Sequence, residues 1–476
     1  MRGVKTMLWL LLCVSVPAFG QTASPAQSSA AARKPKLSKQ ARGITEASVR
    51  AHLEFLAGDA LNGRGSGTRD EWIAATYIAA QLRQWGLEPL GDDGGFVQDV
   101  QIERSDLSAP PVLAFGDRRL THGKEATVLR LSSASLSGPL QKYQPGMIVT
   151  PGAVLLLPDN STVVPPADTA AAAIVISRES DQARSRRLSG QPAPARPLML
   201  QHIVGVPARA TVTLDAESYA AIAAAPEATN VSLQAEAKPP TVTHTWNTLG
   251  RLAGSGPHSA SEIVLLTSHL DHLGARTPAN AAADAGRPAD VIYNGADDDA
   301  SGCVAVLELA EALAKGRQPK RTIIFAWFGS EEAGGYGAGH FIDAPPVPLA
   351  MMVANLEFEM IGRPDKAVPA HTLWLTGYER STLGPELARK GARIVADPHP
   401  DQNFFQRSDN IQLARRGVIA QTVSSFGLHT DYHRPSDEVN TVDFAHMTDS
   451  IRSMVGPVLW LANSSFRPTW LPGKKP

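Results

Sequence analysis

Three consecutive carboxylates, Asp297-Asp298-Asp299, sit on a predicted loop between a short apolar run and a helix-forming stretch. Like charges this close repel one another unless a cation compensates. A chain that buries them must therefore bring cationic or metal-binding partners from elsewhere in the sequence. The whole segment reads Asn294-Gly295-Ala296-Asp297-Asp298-Asp299-Ala300-Ser301-Gly302. Helix capping and a solvated acidic turn would be the plainer explanation of it.

Three other short segments supply suitable partners. His269-Leu270-Asp271-His272 lies upstream, and Ser330-Glu331-Glu332 and Asp431-Tyr432-His433 lie downstream. On an extended chain His269 and Asp271 share a side. Asp271 is then expected to accept one ring N–H of His269 while the other nitrogen binds metal. Of the pair Glu331-Glu332, one carboxylate suits a metal and the other proton transfer. Imidazoles mixed with hard oxygen donors suit a zinc pair. His272, His340, His429 and His446 read as structural or supporting residues.

The surrounding pattern alternates strand and helix from about residue 241. Ile263 to Thr267, Thr322 to Phe328 and Met352 to Leu356 read as buried strands. Ser301 to Lys315 reads as a helix with Val306, Leu309 and Leu313 on one face. Asp443 caps a last helix carrying Met447, Ile451 and Val455. Thr45 caps an earlier helix, and another runs from about Arg69 to Trp85, stopped by Gly86. This predicts an α/β three-layer sandwich around a mixed, mostly parallel sheet. In such sheets sites gather at the carboxyl ends of strands.

Between about 106 and 240 prolines and short apolar runs dominate, as in Ala153-Val154-Leu155-Leu156-Leu157. These suit an inserted, smaller β-rich domain with no catalytic cluster of its own. The catalytic domain is then 45–105 with 241–465, and 466–476 is a tail. Residues 1–20 read as a secretory signal peptide, with Arg2 and Lys5 before an apolar run and Ala18-Phe19-Gly20 as cleavage site. Residues 21–44, rich in Ala, Ser, Pro and Lys, read as a disordered leader. Cys13 leaves with the signal, so Cys303 stands unpaired and no disulfide framework is expected. The expected location is periplasmic or secreted, with no stable membrane insertion after cleavage. Asn160, Asn230 and Asn463 sit in glycosylation patterns that matter only in a glycosylating host. The net charge of -1 gives no basic field for nucleic acid.

The ordered set H-x-D, G-A-D-D-D-A-S-G, E-E and Y-H-x-P-S-D resembles the co-catalytic dizinc aminopeptidases. These are related to glutamate carboxypeptidase and to glutaminyl cyclase. Glu54-Phe55-Leu56-Ala57 through Gly63-Arg64-Gly65-Ser66-Gly67-Thr68 resembles the start of bacterial members, and 106–240 resembles a protease-associated domain. The resemblance implies two Zn2+ ions. His269 would bind one and His433 the other, Asp298 would bridge them, and Glu332 would join His433. Glu331 would be the general base toward a metal-bridging water, Asp271 would orient His269, and Tyr432 would steady the oxyanion. The Asp298-Asp299 peptide would be cis. Relatives read N-L-D-M-x-G-R where this chain has Asn355-Leu356-Glu357-Phe358-Glu359-Met360-Ile361-Gly362-Arg363. Glu359 takes the remaining ligand position, ahead of Glu357. Ser408-Asp409-Asn410 stands where relatives have S-D-H, so no supporting role is expected of it. The implied activity is release of N-terminal residues from peptides. The alternatives are a carboxypeptidase, a glutaminyl cyclase, or a binding protein that kept the fold and lost catalysis. Oligomeric state is not legible.

Overall fold

A computed structural model describes residues 38–159, 171–180, 198–276 and 290–476. The signal peptide, most of the leader, Cys13 and Asn160 lie outside the described residues.

Apolar residues alternate along the central strands and so feed two cores. Val264, Leu266, Ile323, Phe325 and Trp327 face one cluster. Their neighbours Ile263, Leu265, Ile324, Ala326 and Phe328 face another. Period-two alternation with both faces apolar is the mark of a strand covered on both sides. The helices Glu46–Leu56, Arg69–Gln84, Gly302–Ala314 and Phe444–Asn463 contribute to the first cluster, and Tyr336–Asp343 and Asn410–Arg415 to the second. The result is three layers, α/β/α.

The main sheet runs in the order Ile394–Ala396, Leu373–Leu375, Ala420–Ser424, Met352–Phe358, Ile263–His269, Thr322–Phe328, Thr241–Leu252, Val97–Asp106, Met199–Ile203. It is mixed rather than mostly parallel. The four strands Ala420–Ser424, Met352–Phe358, Ile263–His269 and Thr322–Phe328 pair in parallel. The pairs on the Thr241–Leu252 side are antiparallel, because the chain leaves for the insertion along Val97–Asp106 and returns along its neighbour in register Arg104↔Thr241.

Among the described residues the insertion builds a separate 8-stranded sheet with the helix Ala216–Ala224 packed on it. It is not confined to that sheet, since Met199–Ile203 crosses back and pairs with Val97–Asp106. The leader also ends earlier than the sequence suggests. Ser38 caps a short helix, Lys39–Gly43, and Ala41 and Ile44 are buried in the main core. The apolar side chains of that turn outweigh the polar composition around them. At the other end, Trp470 of the tail pairs with Ser381 and packs on both main clusters.

Local signals behave as expected. Thr45 accepts the N–H of Ser48, and Ser48 returns the bond as a capping box. Asp443 accepts the N–H of His446 at the start of Phe444–Asn463. Among the described residues no helix is long and apolar enough to cross a membrane.

Candidate metal centre

The parallel strands deliver the chemistry at their carboxyl ends. His269 is the last residue of its strand, Glu331 follows Thr322–Phe328, and Glu359 follows Met352–Phe358. His433 stands in the loop after Ala420–Ser424, at a left-handed φ of 56°.

Each aspartate of the triplet has its own task. Asp297 accepts N–H from Gly362 at 2.7 Å and meets His429 Nε2 at 2.9 Å. Asp299 accepts N–H from Gly302 at 3.0 Å, Met360 at 3.1 Å and His269 at 3.3 Å. Both therefore tie the loop to the strands beside it. Asp298 is left to face the histidines, with Oδ1 3.1 Å from His269 Nε2 and Oδ2 3.2 Å from His433 Nε2. The Asp298-Asp299 peptide is cis, as the resemblance implied.

Two groups of donors could hold a metal: His269, Asp298 and Glu359, and His272, Asp298 and Glu332, with the donor atoms of each group within 4.8 Å of one another. His433 Nε2 adds to the second at 3.1 Å from Glu332 Oε1. Zinc with bonds of about 2.0–2.1 Å sets tetrahedral donors about 3.3 Å apart, so these separations suit it. The electrostatics agree. Burial, with neighbouring carboxylates adding, pushes Glu359 up to about 8 and Asp409 up to about 7. Glu331 and Asp299 rise well above the carboxylate range for the same reason. Such a concentration of acid calls for a dication.

The sequence expectations for His269, Asp298, Glu332, Glu359 and His433 bring together residues that do converge. Glu357 does not join them. Its carboxylate accepts the N–H of Asn410 at 2.7 Å and the Thr422 hydroxyl at 3.1 Å. Tyr432 stacks on His433 with ring centroids 3.9 Å apart, and Arg407 Nη2 donates to its hydroxyl at 3.5 Å. Ser408-Asp409-Asn410 lies closer to the site than expected, since the buried Asp409 carboxyl raises Glu331 and is itself raised by Glu359.

Two expectations need correction. Asp271 does not take the ring N–H of His269. The His269 Nδ1 meets the Asp271 backbone carbonyl at 3.1 Å, while the carboxylate is 4.0 Å away. That carboxylate instead accepts the N–H groups of Glu331 at 2.8 Å and Glu332 at 3.3 Å, and the Ser66 hydroxyl. The unpaired donors of a helix start claim it first. Asp271 thus positions Glu331 and Glu332 rather than His269. His272, taken as supporting, has its ring inside the second donor group.

Other residues went unnoticed because their partners are remote in sequence. Arg64, fully buried, donates to the carbonyls of Leu56, Leu270, Asn294 and Gly295, so one guanidinium ties both ligand loops together. Glu71, also buried, accepts the N–H of Ser330 at 3.0 Å, just ahead of Glu331.

Beside the donors opens a small cavity lined by Glu359, Trp374, Phe404, Arg407, Phe426 and Tyr432 among others.

Comparison with known proteins bears on this arrangement. Leucine aminopeptidase 1 of Leptosphaeria maculans is 24% identical over 241 residues, covering 47% of this chain and 58% of the relative. An aminopeptidase of Pseudomonas aeruginosa is 42% identical over 72 residues, 15% of this chain and 13% of the relative. The chain thus spans less than two thirds of the length of these relatives. A solved structure of an aminopeptidase from Aneurinibacillus sp. strain AM-1 is similar with a TM-score of 0.48 and 16% identity, covering 90% of this chain and 96% of that one. The model of Peptidase family M28 matches residues 247–455. The matched residues include both donor groups.

Proposed function

We propose that this chain is a zinc-dependent exopeptidase, and within that class an aminopeptidase that releases N-terminal residues from peptides. The observation that carries the reading is Asp298, whose two oxygens each face a different histidine, at 3.1 Å and 3.2 Å. Two zinc ions fit this sharing, with His269, Asp298 and Glu359 toward one and His433, Asp298 and Glu332 toward the other. Bound there, the zinc pair would supply Lewis acidity to a scissile amide and to a water.

The protein's own groups do the rest. Glu331 accepts the proton of the attacking water and hands it to the leaving amine. Its raised proton affinity, set by burial and by the nearby acids, suits a group that must hold that proton briefly. Asp271 keeps Glu331 in place through the backbone bond at 2.8 Å. Tyr432 lines the same cavity as Glu359, and in this reading its hydroxyl donates to the developing oxyanion. The walls of Trp374, Phe404 and Phe426 accept the substrate side chain and exclude water.

The insertion, in this reading, is a protease-associated-like module, and the protein acts in the periplasm or outside the cell. A carboxypeptidase is the second reading, favoured by Arg407, a cation on the cavity wall that could pair with a substrate carboxylate.

The test is mass spectrometry of products from one unblocked peptide and its N-acetylated twin, each incubated with the zinc-loaded protein. Loss of the first residue from the free peptide alone is expected. Loss of the last residue from both would transfer the reading to a carboxypeptidase, and intact peptides would overturn the exopeptidase reading.

A further inference from the structure

His272 is fully buried, and neither ring nitrogen makes a well-formed hydrogen bond with a described residue. Leaving such a group unsatisfied costs about 1–3 kcal/mol. The ring is nevertheless held firmly in place. Its backbone N–H donates to the Arg64 carbonyl at 3.1 Å. Its face lies on Gly295, where an added Cβ would fall 2.5 Å from His272 Cγ. Only glycine fits there, and its φ of 58° adds a second reason.

The ring aims Nδ1 into the centre. That atom is 2.9 Å from Glu332 Oε1 and 3.9 Å from Asp298 Oδ2. His433 Nε2 lies 3.1 Å and 3.2 Å from the same two oxygens. Two imidazoles therefore flank one pair of oxygens, with ring centroids 5.7 Å apart and edge-to-face. His272, Asp298 and Glu332 form one group of candidate donors, and His433 Nε2 lies against the same two oxygens, so that with His272 Nδ1 it would complete a set of four. Around the other position stand three among the described residues: His269, Asp298 and Glu359. Zinc enclosed by four protein donors makes a closed site, whereas three leave a place for water or substrate.

We propose that His272 is a metal ligand through Nδ1, so that the two positions are unequal. The one held by His272, His433, Glu332 and Asp298 is the closed, tight position. The one held by His269, Asp298 and Glu359 is the open, exchangeable position, and it faces the cavity through Glu359. The inference rests on the two-zinc reading above and goes beyond it by adding a ligand and ranking the positions.

The test uses the whole protein loaded with cobalt in place of zinc. Each ligating imidazole should give one strongly shifted, solvent-exchangeable N–H resonance in the proton spectrum. Three are expected from the wild type, and one of them should vanish in His272→Leu. Two from a wild type holding two ions would overturn the proposal while leaving the two-metal reading intact. A wild type that takes up no metal would sink both. Zinc titration against a chromophoric chelator gives a second readout. The tighter step should weaken at least tenfold in His272→Leu and recover in part in His272→Asp, whose oxygen sits as many bonds from Cα as Nδ1 does. Equal constants in wild type and His272→Leu would overturn the proposal. If His272→Leu does not fold, the wild-type spectrum alone decides.

Discussion

Arg363 Nη2 donates to Asp437 Oδ1 at 3.0 Å, and the same carboxylate accepts the backbone N–H groups of Asp297 at 3.1 Å and Asp298 at 3.0 Å. Arg363 is further anchored on Asp431 at 2.7 Å. The loop that presents Asp298 is thus held from behind by a buried ion pair. Breaking a buried pair by removing one charge is expensive, about 3–5 kcal/mol. Asp437→Asn should lower stability by about 3 kcal/mol, because it leaves Arg363 less compensated and turns an amide N–H toward backbone donors. Urea unfolding of the apo protein measures it, and an unchanged midpoint would speak against this role for Asp437.

Arg64 links the two ligand loops through four carbonyls. Lysine would keep the charge but lose the rigid fork that reaches several acceptors at once. Arg64→Lys should therefore destabilise the apo protein by about 2–4 kcal/mol. Zinc binds the folded state and should recover part of the loss. Thermal melts with and without zinc check both parts. A variant as stable as wild type without metal would show that the fork is dispensable.

The layered fold was legible because strand and helix periods are local. Ile263 to Leu266 and Ile323 to Phe328 are short continuous apolar runs, which suit strands covered on both faces. The candidate donors were legible from motif order, since His269, Glu332, Glu359 and His433 lie at or beyond strand ends. The roles of neighbours were not. Alternation along an extended chain puts Asp271 beside His269 and turns His272 away. The strand ends at His269, however, and His272 forms its own bridge to Gly65, which breaks the alternation. Arg64, Glu71 and Asp437 escaped because their meaning lies in partners far along the chain. The mostly parallel sheet was misjudged because the insertion's entry and exit strands pair with each other.

In the proposed mechanism Glu331 carries proton transfer without binding metal. Its backbone N–H is fixed by Asp271, and its carboxyl is absent from both donor groups. Glu331→Gln should lower kcat by about 10²- to 10⁴-fold, the usual worth of a general base. Zinc content should stay at the wild-type value. Steady-state kinetics with metal analysis on the same sample tests this. Turnover near wild type would remove Glu331 from the mechanism, and loss of zinc would make it a ligand instead.

Glu308 offers a pH test away from the metals. It is fully buried on the helix Gly302–Ala314. Burial, with Glu311 adding and the Ser48 hydroxyl opposing, pushes its carboxyl up to about 7. The folded state therefore holds this proton more tightly than the unfolded chain does. The contribution to stability is full below the ordinary glutamate range and is lost as pH rises toward about 7. Glu308→Gln keeps the shape without the ionisation. The variant should match wild type near pH 4 and exceed it at pH 8, by up to about 3 kcal/mol for a shift of this size. Chemical denaturation at both pH values in one buffer series reads the difference. Equal stability of the two proteins at pH 8 would mean that Glu308 ionises in the folded state without penalty, and that water or Ser48 solvates it there.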